Sequence, residues 1–520
     1  MHRPTFGLSV RLLLRPSPTF SAVLLLLGGA ACSGGNGGTG KGSGGGPANT
    51  GGSPTSSGGS SGAGTGGLAG TAGSGGSSAG TGGSASGTGG AGSGGVAGGG
   101  RGGGSASGGA AGGGTNVGGA GGRGAGTGGG PAGGGSGTVV WETRRLSALN
   151  TAEGADVGDI DGDGVLDLVA GPIWYKGPTF EVGGTLMVSP PSFSMNEYST
   201  FFLTFVDDVD GDSRPDVIAI GDAGGGNGSG NPNTFWYKNP GPGNFTQAWV
   251  KTAVYNGLVA NESPAYANLV GDAKRELVFM TGNNLGYARP GASATAAWTF
   301  TPVSSGVSFT NYSHGLGVGD INGDGLADVV ERSGWWRQGT GGTFERRAFE
   351  FWLGSTSGRS SNWGGAQMHV YDVDGDGDND VVTSLAAHQY GLAWFEQTGT
   401  GAAITFTGKQ ILPTVAGTGN VSQLHSMAAA DINGDGLTDF VVGKRYYAHP
   451  ANNADPGTTD PAVLSWFELQ RGAGGATFVQ RVIHSDSGAG CNFVARDLNG
   501  DGKVDVFTTN KRGTFLHLQR

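Results

Sequence analysis

Nine residues, Asp431-Ile432-Asn433-Gly434-Asp435-Gly436-Leu437-Thr438-Asp439, put side-chain oxygens at positions 1, 3, 5 and 9 of one short stretch. Hard divalent cations such as Ca²⁺ take six to eight oxygen ligands at about 2.3–2.6 Å. Alternate residues of a tight loop can aim several carboxylates at one point. Gly434 and Gly436 allow the positive φ that such a loop needs. The chain carries this stretch seven times, whole or in part. The pattern makes ligands of Asp159, Asp161, Asp163 and Asp167, and of Asp208, Asp210, Asp212 and Asp216. It does the same for Asp320, Asn322, Asp324 and Asp328, and for Asp372, Asp374, Asp376 and Asp380. The sixth set is Asp431, Asn433, Asp435 and Asp439, and the last is Asp497, Asn499, Asp501 and Asp505. The third copy, residues 268–276, has Asn268 and Val270 at two ligand positions and is expected to bind metal weakly or not at all.

A second set of residues lies outside the loops. Six positions before each loop stand Glu153, Phe202, Glu262, His314, Ala366, His425 and Cys491, and His369 lies three before the fifth loop. If these positions superpose, they ring one mouth of a central channel. Glu153, Glu262, His314 and His425 could then hold a metal or perform acid–base work on a small polyol. Packed strand-start residues are the structural alternative.

The elements that must carry these groups follow from the spacing. Loop starts are 49, 60, 52, 52, 59 and 66 residues apart. Periods of 40–60 with strand-like segments indicate propeller blades. A β-rich segment such as Thr343–Arg347 opens each unit, and a small-residue strand such as Gly315–Gly319 leads into the loop. An apolar strand such as Asp167–Ala170 leaves the loop, and an aromatic strand such as Trp335-Trp336 follows. Small residues suit the crowded centre, and aromatics the gaps between blades. No stretch has sustained 3.6-residue periodicity, so almost no helix is expected. The fold class is therefore all-β, a seven-bladed β-propeller over residues 139–520. Its N- and C-terminal strands, Val139–Arg145 and Phe515–Arg520, close the ring in one blade or in neighbouring ones, which removes sheet edges.

The remainder of the chain addresses and tethers this ring. Arg3, Arg11 and Arg15 precede a short apolar run, which ends at Gly29-Ala30-Ala31-Cys32. Such a run is a signal core rather than a spanning helix. It resembles a bacterial lipoprotein signal over residues 1–32, with Cys32 lipidated; cleavage as an ordinary secretory signal near Ala31 is the alternative. Ser33 after the cysteine leans toward the outer membrane, so a lipid-anchored cell-surface protein is expected. Residues 33–138 are mostly Gly, Ser, Thr and Ala, with no aromatic and almost no aliphatic residue, a disordered linker that cannot offset its ordering entropy. As a flexible coil it would span roughly 50–60 Å. The net charge of −10 excludes the basic patches of nucleic-acid binders. The seven loops hold 24 of the 40 Asp and Glu, so the acidity belongs to metal-ligand chemistry. The ring has one cysteine, Cys491, and no internal disulfide.

The repeated Asp-x-Asp/Asn-Gly-Asp-Gly-x-x-Asp loops resemble FG-GAP/VCBS repeats, the family that builds the propeller of integrin α subunits and many bacterial surface proteins. The resemblance covers residues 139–520 and implies Ca²⁺ on one face, with a backbone carbonyl from position 7 as a further ligand. EF-hands and dockerins share the spacing but need helices, whereas a β-type run, Phe440-Val441-Val442, follows here. Ser313-His314-Gly315-Leu316-Gly317 and Gly334-Trp335-Trp336 are similar to bacterial propellers related to aldos-2-ulose dehydratase, a sugar lyase. The leading expectation is a surface-tethered, Ca²⁺-stabilised module that holds a protein or glycan on one face, without catalysis. A carbohydrate lyase or isomerase, or a spacer without ligand, are the alternatives. The insertion from Lys444 to Asp460, rich in polar and aromatic groups, is expected to overhang one face and carry binding.

Overall fold

The computed structural model describes residues 138–520 except 222–232, 273, 283, 292, 294, 305–308, 310, 354–362, 418 and 450–454. The expected leader with Cys32, the linker up to residue 137 and part of the Lys444–Asp460 insertion lie outside the described residues. The rest is seven four-stranded antiparallel sheets. Among the described residues the one helical turn is the 3₁₀ turn Gly401–Ala403.

Each sheet is a blade of one plan, with neighbouring strands joined in chain order. In blade 1 the strands are Ala155–Gly158, Asp167–Ala170, Ile173–Lys176 and Glu181–Thr185. The innermost strands of blades 2 to 6 are Leu203–Asp207, Ala265–Ala267, Leu316–Gly319, His369–Tyr371 and Leu424–Ala430. Blade 7 takes Val494–Arg496, Asp505–Asn510 and Gly513–Gln519 from the C-terminus and Trp141–Ser147 from the N-terminus. That last pairing runs from Trp141 opposite Gln519 to Arg145 opposite Phe515, so both ends share one blade. It also corrects the repeat frame. The β-rich segment that opens each unit in sequence is the outer strand of the preceding blade, as Thr343–Ala348 is of blade 4.

The expected division of residue types is met. At the centre the strands approach too closely for side chains: a Cβ on Gly317 would lie 1.9 Å from the Met368 carbonyl of the next blade. The aromatic third strands fill the gaps between blades. Trp174 packs with Val206 and Val217 of blade 2, and the adjacent Trp335 and Trp336 pack toward blades 5 and 3. Seven apolar clusters occupy the seven blade interfaces. Burying a large aromatic is worth roughly 1.5–3 kcal/mol, so no single blade holds the ring and each depends on two neighbours.

Candidate functional site

The nine-residue loops join the first and second strands of each blade, and they are built by their own side chains. The ninth residue is a fully buried carboxylate. One of its oxygens accepts the N–H of the second loop residue, at 2.8–3.2 Å in the six intact loops. The other accepts an N–H at the end of the third strand, at 2.7–2.9 Å. Position 1 accepts from the loop backbone too, as Asp431 does from Asp435 N and Gly436 N. In loops 1, 2 and 5 the oxygens of positions 1, 3 and 9 lie within 4.8 Å of one another. Carboxylate oxygens keep lone pairs beyond these bonds, so an all-oxygen set of this kind fits a hard divalent cation.

The loops differ in what faces them. Lys176 reaches Asp161 and Asp163 of loop 1, Lys238 reaches Asp210 and Asp212 of loop 2, and Arg337 lies 3.3 Å from Asp324 of loop 4. In blades 5 and 6 the equivalent strand position carries Glu396 and Glu468. The third loop keeps its shape with Glu276 as the clamp, 2.9 Å from Leu269 N, while Arg289 sits 3.0 Å from Asp272.

The six positions between each strand-start residue and its loop span the blade, about 20 Å at 3.3 Å per residue. The strand-start residues are therefore at the opposite face, where they converge. Arg445 is the hub. Its Nε donates to Glu153 Oε2 at 2.7 Å, and its NH1 lies 3.1 Å from both Glu262 Oε2 and His425 Nε2. Its guanidinium stacks over Phe202, 4.6 Å from the ring centre. His314 Nε2 and His425 Nε2 are 3.2 Å apart, and Glu262 Oε2 lies 3.5 Å from the first and 3.2 Å from the second. All these side chains are buried. Backbone bonds chain the neighbouring positions, Cys491 N to Glu153 O at 2.6 Å and Glu262 N to Ser313 O at 2.9 Å.

Glu153, Glu262, His314 and His425, with Phe202, thus meet at the mouth. Cys491 and Ala366 are buried packing residues, and burial pushes the Cys491 thiol well up. His369 does not join. It lies farther along the inner strand, lines the central cavity, and is 3.2 Å from the Met427 carbonyl.

Above the buried layer lies a partly exposed one that no repeat position signalled. His388 Nδ1 is 3.1 Å, and His449 Nδ1 3.0 Å, from the Asp455 carboxylate, and the two imidazoles stack with centres 4.3 Å apart. His388 also meets the rings of His314 and His425 edge-on, at 4.9 and 5.2 Å. Two buried lysines adjoin this layer: Lys444 Nζ donates to Ser422 Oγ at 2.9 Å and to Gly457 O at 2.6 Å, and Lys511 lies over Tyr198. Three of these groups, Lys444, His449 and Asp455, come from the Lys444–Asp460 insertion, whose polar content was the available signal. Arg445 comes from it too, but as a buried hub rather than an overhanging group.

Electrostatics sort the groups by charge state. Burial pushes His314 down to about 4 and His425 well below its ordinary value, the latter helped by Arg445, so both imidazoles are neutral at pH 7. Burial alone would raise Glu262, but hydrogen bonds with His314 and His425 and the charge of Arg445 hold it well below the usual range. Asp455 is likewise held low by His388 and His449 against its burial. Burial lowers Lys444 to about 8.

A ring of blades with acidic loops on one face and a converged His/Glu/Arg cluster at the other mouth defines a repeat propeller with two chemically distinct faces. Residues 372–442, from the fifth loop to the strand after the sixth, match the FG-GAP-like repeat family. The described region is a seven-bladed β-propeller, and its residues 372–442 match that repeat family. No curated protein matches the chain. Among solved structures it is similar to an Agrocybe aegerita lectin specific for non-reducing terminal N-acetylglucosamine, at 14% identity over 74% of this chain and 85% of the lectin, with a TM-score of 0.39. A rhamnogalacturonan lyase is similar at 17% identity over 72% of each chain, TM-score 0.36. The protein AofleA of Arthrobotrys oligospora is similar at 11% identity over 68% and 91%, TM-score 0.31. Likenesses of this strength say nothing of what this chain binds.

Proposed function

We propose that the mouth opposite the acidic loops acts on a carbohydrate, as a lyase or isomerase that removes a proton beside a carbonyl. One observation carries this: Asp455 accepts from Nδ1 of both His388 and His449, at the outer edge of the cluster. Each bond places the ring proton on Nδ1 and leaves Nε2 with a lone pair, the arrangement of a supported general base. A single carboxylate supports one imidazolium at a time, and stacked rings disfavour two charges. One ring therefore takes the carbon-bound proton, whose electron pair moves toward the carbonyl oxygen. In an elimination the same ring, now an imidazolium, passes that proton to the departing hydroxyl, so water leaves and the ring returns to neutral. In an isomerisation the first ring returns its own proton. A module that only holds a ligand has no need of such a pair.

The substrate class follows from charge and lining. Glu153, Glu262, Asp455 and Asp460 stand against Arg445, Lys444 and Lys511, close to balance, which suits a neutral ligand rich in hydroxyls. Tyr198 and Tyr447 supply aromatic surface. The test is deuterium exchange from D₂O into aldoses, ketoses and dicarbonyl sugars, followed by NMR. Asp455→Asn is expected to lower the rate by at least about a hundredfold. Absence of exchange with every sugar would leave the chain a binding module.

Ca²⁺ in the intact loops is part of the same reading. Asp159, Asp208, Asp320, Asp372, Asp431 and Asp497 with their partners would hold it, and it would supply rigidity rather than chemistry. The lipoprotein-like start supports a surface anchor at Cys32. Cys32→Ser is expected to release the protein from membrane fractions, and unchanged membrane retention would remove the anchor.

A further inference from the structure

We propose that Glu262, His314 and His425 form a binding site for one transition-metal ion such as Zn²⁺, distinct from the Ca²⁺ loops. The donor atoms Glu262 Oε2, His314 Nε2 and His425 Nε2 make a triangle with edges of 3.2, 3.2 and 3.5 Å. Zinc binds imidazole nitrogen and carboxylate oxygen at about 2.0–2.2 Å, which places tetrahedral ligands about 3.3–3.5 Å apart. The triangle therefore has the dimensions of one face of such a site. The three residues start the inner strands of blades 3, 4 and 6, so the rigid centre of the ring sets their spacing.

In the metal-free chain Arg445 NH1 donates toward both Glu262 Oε2 and the single ring lone pair of His425 Nε2. A cation within the triangle would take that lone pair in place of Arg445, with Glu262 Oε2 and His314 Nε2 as its other two donors. A ring nitrogen of His388 lies within 4.8 Å of them, and His388 is itself held by Asp455. His388 thus stands over the fourth position, where a water or a substrate oxygen would sit, as in sites that keep one position open.

Donor chemistry separates this site from the loops. Two neutral imidazoles favour zinc, cobalt or nickel, and the all-oxygen loops favour calcium. Arg445 shares two of the three donors and competes with the ion, although Glu153 neutralises it. The site is therefore weaker than a closed structural zinc site.

The experiment uses the full chain in excess Ca²⁺, so that the hard-oxygen loops are filled. Equilibrium dialysis against Zn²⁺ is expected to show about one ion per chain. Co²⁺ in its place is expected to give the intense visible bands of a four-coordinate ion with nitrogen ligands, a measurement on the unaltered protein. Glu262→Gln and His314→Gln should each weaken zinc by at least about tenfold, whereas Asp431→Asn in a loop should not. Zinc uptake that calcium abolishes, six-coordinate Co²⁺ spectra, or retention unchanged in both variants would overturn the site. Asp455→Asn distinguishes this proposal from the sugar reading. Zinc retained with exchange lost supports both. Zinc bound with no exchange in the unaltered chain leaves the metal site standing alone.

Discussion

Replacing Arg445 by methionine is expected to cost about 3–5 kcal/mol of stability, the loss seen when one partner of a buried ion pair is removed. Arg445 is 1% exposed, Glu153 0% and Glu262 5%, so the two carboxylates would be left charged in a dry site. Methionine reaches only about as far as Nε and leaves the guanidinium's space over Phe202 empty, so the loss would combine stranded charge with a cavity. Arg445→Lys is expected to recover only part of it. Lysine is a point charge and cannot address Glu153 through Nε and NH2 while touching Glu262 through NH1. Urea unfolding measures the difference. The triple change Glu153→Gln, Glu262→Gln and Arg445→Met should be milder than Arg445→Met alone, since no buried charge is then stranded. A single variant as stable as the unaltered chain would mean that water, not Arg445, compensates the carboxylates.

The second large effect concerns the loops. Removing divalent ions with EDTA is expected to lower the melting temperature by on the order of 10 °C or more, because each site filled to 100 times its Kd adds about 2.7 kcal/mol. The loss should depend on pH in a defined direction. Burial lifts Asp167 and Asp505 to about 6, and Asp216, Asp328, Asp380 and Asp439 to about 7, from 3.8. A raised carboxyl keeps its proton in the fold where the unfolded chain has lost it. Without metal, the stability carried by these six carboxyls should therefore fall as pH rises from about 4 to about 7 and level off above, opposed by the buried imidazoles of His314, His369 and His517, which burial pushes down. A bound cation favours the ionised form, so the protection that calcium gives should grow over the same window. Melting curves at pH 5, 6, 7 and 8, with and without EDTA, check both statements. EDTA curves that coincide with calcium curves at pH 8 would end the calcium reading. A metal-free pH slope left unchanged by Asp439→Asn would overturn the account of the ninth-position carboxylates.

The loops and the blade count were legible because their causes are local. Asp439 closes its loop through a bond to Ile432, seven residues away, and reaches Leu469 within the same blade. The partners of each ninth carboxylate lie inside one repeat, so seven copies of the pattern announce seven copies of the structure. The mouth was legible in part. Glu153, Glu262, His314 and His425 share one offset from their loops, and inner strands of one plan carry that offset to one end of the channel. His369, three residues nearer its loop, does not reach that end.

What lies between repeats could not be read in this way. Arg445 and Glu153 are 292 residues apart, and His388 and Asp455 belong to the second-to-third-strand connections of blades 5 and 6, whose length and sequence differ from blade to blade. Only ring closure brings such segments over one mouth. The repeat frame shows the same limit: strand segments are visible along the chain, but Trp141–Ser147 belongs to blade 7 because its unpaired edge finds Gly513–Gln519. Residue types and spacing thus dictated the all-β ring and its acidic loops, whose bonds are short in sequence. The hub at Arg445, the paired imidazoles on Asp455 and the Glu262–His314–His425 triangle were decided by tertiary structure, because each joins residues of different blades.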